Sequence, residues 1–166
     1  MGFANFLQWL SGTPFSTMMR ESIWAEPIVE TIHVLTLTIF LGFAVLLDLR
    51  LLGVTLIRKR VSEVLAQFNL WLFGGFAVMI VTGILLFCGD PVSFYNTEPP
   101  FFKIKMIMLV LAGLNVLIFN LTIGRKVWDR KPRTPGAAKA AGVVSIVLWI
   151  WIVAAGRAIA YALPPS

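Results

Sequence analysis

Residues 21–42 read ESIWAEPIVETIHVLTLTIFLG, and this stretch decides the fold. From Ile28 the chain runs apolar as far as Leu52, and about 20 such residues in a helix cross roughly 30 Å of hydrocarbon. The same stretch carries Glu26, Glu30 and the chain's only histidine, His33, spaced about one helical turn apart on one face. Ionisable groups at membrane depth are costly, so these three call for a pairing or a functional reason.

Three more apolar tracts follow, at residues 65–88, 101–123 and 140–163, and residues 70–88, 106–123 and 140–156 contain no charge at all. With 58% hydrophobic and 13% charged residues in 166, and a mean hydropathy of +0.87, the chain departs far from soluble composition. The expected fold is an all-α integral membrane protein: a four-helix transmembrane bundle over residues 27–166, with spans near 28–52, 65–88, 101–123 and 140–163. Residues 1–26 form an N-terminal segment in which Phe3, Phe6, Leu7 and Leu10 follow a helical stripe opposite Asn5 and Gln8. That pattern predicts a short helix lying in the membrane interface. The segment lacks the basic region and small-residue cleavage site of a secretory signal, so it is expected to stay in the mature chain.

Charge sets the expected orientation. Arg50, Arg58, Lys59 and Arg60 flank the first connection between spans, and Arg125, Lys126, Arg130, Lys131, Arg133 and Lys139 the third. The connection between the second and third spans, GDPVSFYNTEPP, has Asp90 and Glu98 and no Lys or Arg. By the positive-inside rule the basic connections face the cytoplasm and both termini lie outside, on the periplasmic face of a bacterial inner membrane. The net charge of +6 therefore reports topology, and nucleic acid is not an expected partner. Trp24 and Trp128 stand where interfacial anchors belong, and Pro27, Pro91, Pro99, Pro100, Pro132 and Pro135 mark helix boundaries. Gly74, Gly75, Gly83, Gly142, Ala154, Ala155 and Gly156 give the second and fourth spans surfaces that neighbours can approach closely.

A single cysteine, Cys88, excludes an internal disulfide or a multi-cysteine metal site, and it reads as a small buried hydrophobe. No nucleotide-binding loop, nucleophile elbow, zinc-protease signature or dinucleotide fingerprint is present. Counting 1.5 Å per residue from the outer helix ends puts His33 about 9 Å deep, Lys105 about 6 Å and Arg157 about 9 Å. Three ionisable side chains from three helices thus share one layer, with Glu30 one turn from His33 and Tyr161 one turn from Arg157.

Three readings of that layer stand side by side. It is a self-satisfied network, with Glu30 paired to Lys105 or Arg157 and a neutral His33 bonded to a carbonyl or hydroxyl. It is a pocket for one b-type haem, with His33 as axial ligand, Glu30 tuning the imidazole, and Lys105 and Arg157 serving the propionates beside Tyr161. Or it is a copper site, in which His33 recruits Met18 and Met19. Toward the cytoplasmic side Asp48, Arg50, Asn115 and Asn120 read as groups that hold the bundle together, Asp48 and Arg50 each finding a partner on another helix.

IVETIHVLTLTIFLGFAVLLDLRLLG, FFKIKMIMLVLAGLNVLIFN and SIVLWIWIVAAGRAIAYA together resemble a family of small bacterial four-span membrane proteins, over most of the chain from Trp24. His33, Asp48, Arg50, Lys105, Trp149, Gly156, Arg157 and Tyr161 carry that likeness. A histidine in the first span and a lysine opening the third also resemble the haem-binding HemJ-type protoporphyrinogen oxidases and the membrane domain of copper-resistance D proteins. HemJ-type proteins have a further histidine beyond that lysine, where this chain has Asn115 and Asn120.

The expectation is an inner-membrane protein holding one haem b near its outer side, a non-catalytic electron-transfer or membrane-anchor subunit working with other membrane or periplasmic subunits. A cofactor-free accessory subunit and a copper-binding protein are the alternatives. An enzyme acting on a porphyrin or a quinone ranks after them, for want of an acid–base pair.

Overall fold

A computed structural model describes residues 2–123 and 134–162. The basic connection through Arg125, Lys126, Arg130, Lys131 and Arg133, with Trp128 and Pro132, lies outside the described residues, as do those from Leu163 onward. The chain order is α1 (Phe3–Ser11), α2 (Pro14–Glu21), α3 (Ala25–Leu52), α4 (Val61–Gly89), α5 (Pro91–Asn96), α6 (Phe101–Ile118) and α7 (Gly136–Ala162). A π-helical turn, Phe119–Ile123, extends α6.

Four of these helices, α3, α4, α6 and α7, are long and apolar enough to cross a membrane. Their apolar surface is mostly outward: only 6% of the most hydrophobic window is buried within the protein in α4 and in α6, against 17% in α3 and 33% in α7. A soluble bundle would bury that surface, so the surrounding medium is lipid. The graded burial also orders the helices. α4 packs on α3, α3 on α7, and α7 on α6, so α7 is enclosed and α4 and α6 flank the row. One apolar cluster joins them, with Phe40 of α3, Ala112 of α6, and Leu148, Trp149 and Ile152 of α7, and with Leu72 of α4 packed against it. Phe40 meets Trp149 edge-on at 4.9 Å.

Small residues set the close approaches. A Cβ added to Gly75 would lie 3.1 Å from Phe40, and one added to Gly142 would lie 3.1 Å from the Asp48 carbonyl oxygen. Gly74 faces open space and Ala154 is exposed, so these two play no part.

The N-terminal segment holds two helices where one was expected. Thr13 ends the first turn system and caps α2, accepting from the Ser16 N–H, and Pro14 occupies the first helical position. Helix α3 then begins at Ala25, ahead of the expected boundary, and takes in Glu26 and Pro27. Of the stripe read in α1, Leu7 alone is buried; Phe3 and Phe6 stay exposed, with Phe3 edge-on to Tyr95 of α5 at 5.0 Å. Helix α5 is itself capped by Asp90, which accepts from the Ser93 N–H, with Pro91 next.

Candidate functional site

The side chain of His33 turns from α3 toward α4. Its Nδ1 lies 2.7 Å from Thr82 Oγ1, and a Cβ on Gly83 would meet its Cε1 at 3.5 Å, so the absent side chain at Gly83 gives the ring its berth. Thr82 is buried, and its hydroxyl also lies 2.7 Å from the Val78 carbonyl, one turn back along α4. A hydroxyl has one proton, and here it is donated to Val78. The imidazole therefore donates its Nδ1–H to Thr82, and Nε2 is left with a free lone pair. This is the arrangement by which a histidine presents Nε2 as a ligand, its tautomer fixed by the partner on the other nitrogen.

Lys105 enters the same layer from α6. Its side chain runs along α7 at Gly156, with Nζ 3.4 Å and Cε 3.7 Å from where a Cβ would stand, and its charge is near enough to act on His33. Each of the four spanning helices thus contributes one element at this level: His33, the Thr82–Gly83 pair, Lys105 and Gly156. Above it, Phe87 of α4 stacks on Phe102 of α6 at 5.1 Å, with Phe94 of α5 edge-on to Phe102 at 5.8 Å. These rings close the layer toward the α5 end.

The remaining expected site residues sit elsewhere. Arg157 is exposed, donates to the Tyr161 hydroxyl at 2.8 Å and lies over its ring at 4.6 Å, while Tyr161 is 75% exposed. Stepping one residue along α7, from Gly156 to Arg157, rotates the side chain by about 100°, away from Lys105. Glu26 and Glu30 are exposed and, among the described residues, have no ion-pair or hydrogen-bond partner, so the ion pairs of the self-satisfied network do not form there. Its other half does form, in the His33–Thr82 bond.

Among the described residues no three His, Cys, Asp or Glu side chains gather around one point. Met18 is exposed, and Met19 is buried against Gly89, about 10 Å along α4 from Thr82. An open depression at Gly12, Pro14, Thr17, Met18, Glu21 and Ser22 lies on the N-terminal helices and is separate from His33.

Thr82 is the residue that sequence reasoning undervalued. Seven residues before the end of α4 put it about 10 Å deep, the depth of His33, and the same counting applied to α4 identifies it.

Toward the other end, Asn115 donates to the Ala141 carbonyl at 3.0 Å and ties α6 to α7 as expected. Asn120 instead bonds back to Val116 in its own helix, and Arg50 reaches the Lys59 carbonyl and Thr134 of the connections rather than another helix. Asp48 is bonded to Ser145 of α7.

No curated protein and no solved structure matches this chain. A family model matches residues 15–162, which include all four spanning helices and every residue of the His33 layer, and the chain belongs to that family, DUF6644, a family of unknown function.

Proposed function

We propose that this is an inner-membrane protein that holds one b-type haem at the His33 layer and serves as an electron-transfer or membrane-anchor subunit of a redox complex. The observation that carries the reading is the short His33 Nδ1–Thr82 contact beside the Thr82–Val78 bond, from which we infer that Nδ1 donates and Nε2 keeps its lone pair. An imidazole that donates Nδ1–H to a neighbour and keeps its other nitrogen open is suited to an iron ligand. Lys105, with no anionic partner among the described residues, supplies a cation for a propionate in the same layer. Arg157, turned away from Lys105 and paired with Tyr161, would have to leave that pair to serve the other propionate. Glu30, exposed and not hydrogen-bonded to His33, is left out of the ligand set.

When bound, haem would supply one-electron redox chemistry; the chain's own residues orient the imidazole and balance charge. With one histidine per chain, the second axial position falls to a non-histidine group, to a partner subunit or to nothing.

The test is an oxidised-minus-reduced visible spectrum of protein purified in mild detergent from cells supplied with haem, with haem and metals quantified in the same sample. Near-unit haem that is lost in His33→Ala supports the reading. A flat spectrum, or full haem in His33→Ala, overturns it. A second reading, a cofactor-free accessory subunit, is favoured by the Arg157–Tyr161 pair, which satisfies that guanidinium without a ligand. It predicts the flat spectrum. Stoichiometric copper in place of haem would move the assignment to a copper-binding membrane protein.

A further inference from the structure

The haem reading leaves unused the one carboxyl group buried in the spanning helices. Asp48 lies in α3 four residues, about 6 Å, from the helix end at Leu52, and is 6% exposed. It faces the seam with α7, where Gly142 lets the backbones approach and Ser145, itself 7% exposed, is hydrogen-bonded to it. Its second oxygen, Oδ2, is buried and has no partner among the described residues. Leu51, Val61 and Ala138 form the apolar cluster beside the seam, with Leu47 and Phe119 packed on it.

No cation answers this carboxyl among the described residues. On α3 itself, Arg50 is engaged by the Lys59 carbonyl and Thr134. At the start of α4, Arg60, just before the helix, and Glu63 face each other in the open at 3.9 Å. On α7, Lys139 is exposed, and α6 offers Asn115, committed to Ala141, with no titratable group nearby. A carboxylate buried with one oxygen bare carries the desolvation cost of a full charge, whereas the neutral acid carries only that of a polar group and keeps a hydrogen to donate. Intramembrane carboxyls in this position commonly mark proton sites.

We propose that Asp48 is an intramembrane proton-binding site, its carboxylate taking one proton from the nearer aqueous face and resting as the neutral acid against Ser145 in the α3–α7 seam. The exchange is a simple one: an O–H bond of hydronium breaks, an O–H bond forms on the carboxylate, and a water molecule is left behind. Fifteen residues of α3, about 22 Å, separate Asp48 from His33, with no titratable side chain of that helix between them.

Carbodiimides modify buried carboxyl groups in their protonated form, which gives a direct test. The full-length protein in lipid vesicles is treated with dicyclohexylcarbodiimide across a pH series, with and without sodium, and the adduct is located by peptide mass spectrometry. The expected result is an adduct on Asp48 at acid pH that falls by up to about tenfold per pH unit above the titration midpoint, is indifferent to sodium, and is absent in Asp48→Asn. Asparagine preserves the shape and hydrogen-bonding capacity of the neutral acid, so that variant is expected to remain folded and monodisperse. No adduct at any pH in folded wild type, or an adduct that does not change with pH, overturns the proposal. Protection by sodium at fixed pH overturns it in favour of a metal-cation site. An adduct that persists on the same peptide in Asp48→Asn also overturns it, because another group is then reacting.

Discussion

A single hydroxyl decides what His33 can offer. Thr82→Val keeps the shape of the side chain and removes the acceptor on Nδ1, so the tautomer is no longer imposed. Haem affinity in a titration of apoprotein is expected to fall about 10-fold or more, with His33→Ala losing it entirely. A scaffold without cofactor predicts no spectral change in either variant. Gly142 gives a residue-scale prediction independent of any ligand. In Gly142→Ala the new Cβ would stand 3.1 Å from a backbone oxygen, which cannot swing away as a flexible side chain does. The seam must open, at a cost of about 1–3 kcal/mol, seen as a lower midpoint in a detergent thermal melt. Gly74→Ala, in open space, is the matched control and should melt like wild type or slightly above it. At this scale the sequence was read unevenly for a physical reason. Counting residues from a helix end gives depth, and it placed His33 and Lys105 in one layer. Azimuth depends on how neighbouring helices rotate against one another, which no count supplies. Arg157 therefore faces outward with Tyr161, and the α7 groove that accepts Lys105 is formed by the adjacent Gly156.

At the scale of elements, the connection between α2 and α4 is the part that hydropathy could not show. The last carbonyls of a helix lack partners within it and carry a partial negative charge. At the C-terminal end of α4 these needs are met from α2: the buried Ser16 hydroxyl bonds to the Cys88 carbonyl, and the Arg20 guanidinium bonds to the Gly89 carbonyl at 2.8 Å. Arg20 also holds the Ser11 carbonyl at 2.7 Å, and Met19 packs on Gly89, so α1 and α2 are clamped to the bundle end as a unit. Replacing Arg20 by Ala removes a charged hydrogen bond of about 1.5–3 kcal/mol. The expected result in hydrogen-exchange mass spectrometry is faster exchange across residues 3–21, with α3 and α7 unchanged; uniform exchange throughout would mean that the clamp contributes nothing. The signals were present locally, since Thr13 before Pro14 and Asp90 before Pro91 are cap-and-proline pairs that start helices. They were masked because a window long enough to find a membrane span averages over elements of six to nine residues.

Across the whole molecule, the row α4–α3–α7–α6 places its two polar regions near opposite ends of the long helices, with the Phe40–Trp149 cluster between them. Composition revealed the four spans because lipid demands long apolar runs whatever the packing inside. The order of helices in the row depends on where glycine and alanine permit contact, and it was not legible. Which end faces which compartment follows from charge, and that inference has its own test. The loop after α3 carries Arg58, Lys59 and Arg60, whereas the loop with α5 carries Asp90 and Glu98 and no basic residue. An arginine or lysine beside a span resists transfer across the membrane during insertion, so the first loop should remain cytoplasmic and the second should be exported. Asn96 and Val54 are both exposed, one in each loop, and suit single-cysteine reporters once Cys88 is replaced by serine. In intact spheroplasts a membrane-impermeant maleimide is expected to label Asn96→Cys at once and Val54→Cys only after the membrane is opened. The reverse pattern would put the His33 layer near the cytoplasm and Asp48 near the outside, and with it any redox partner and any source of protons would change sides.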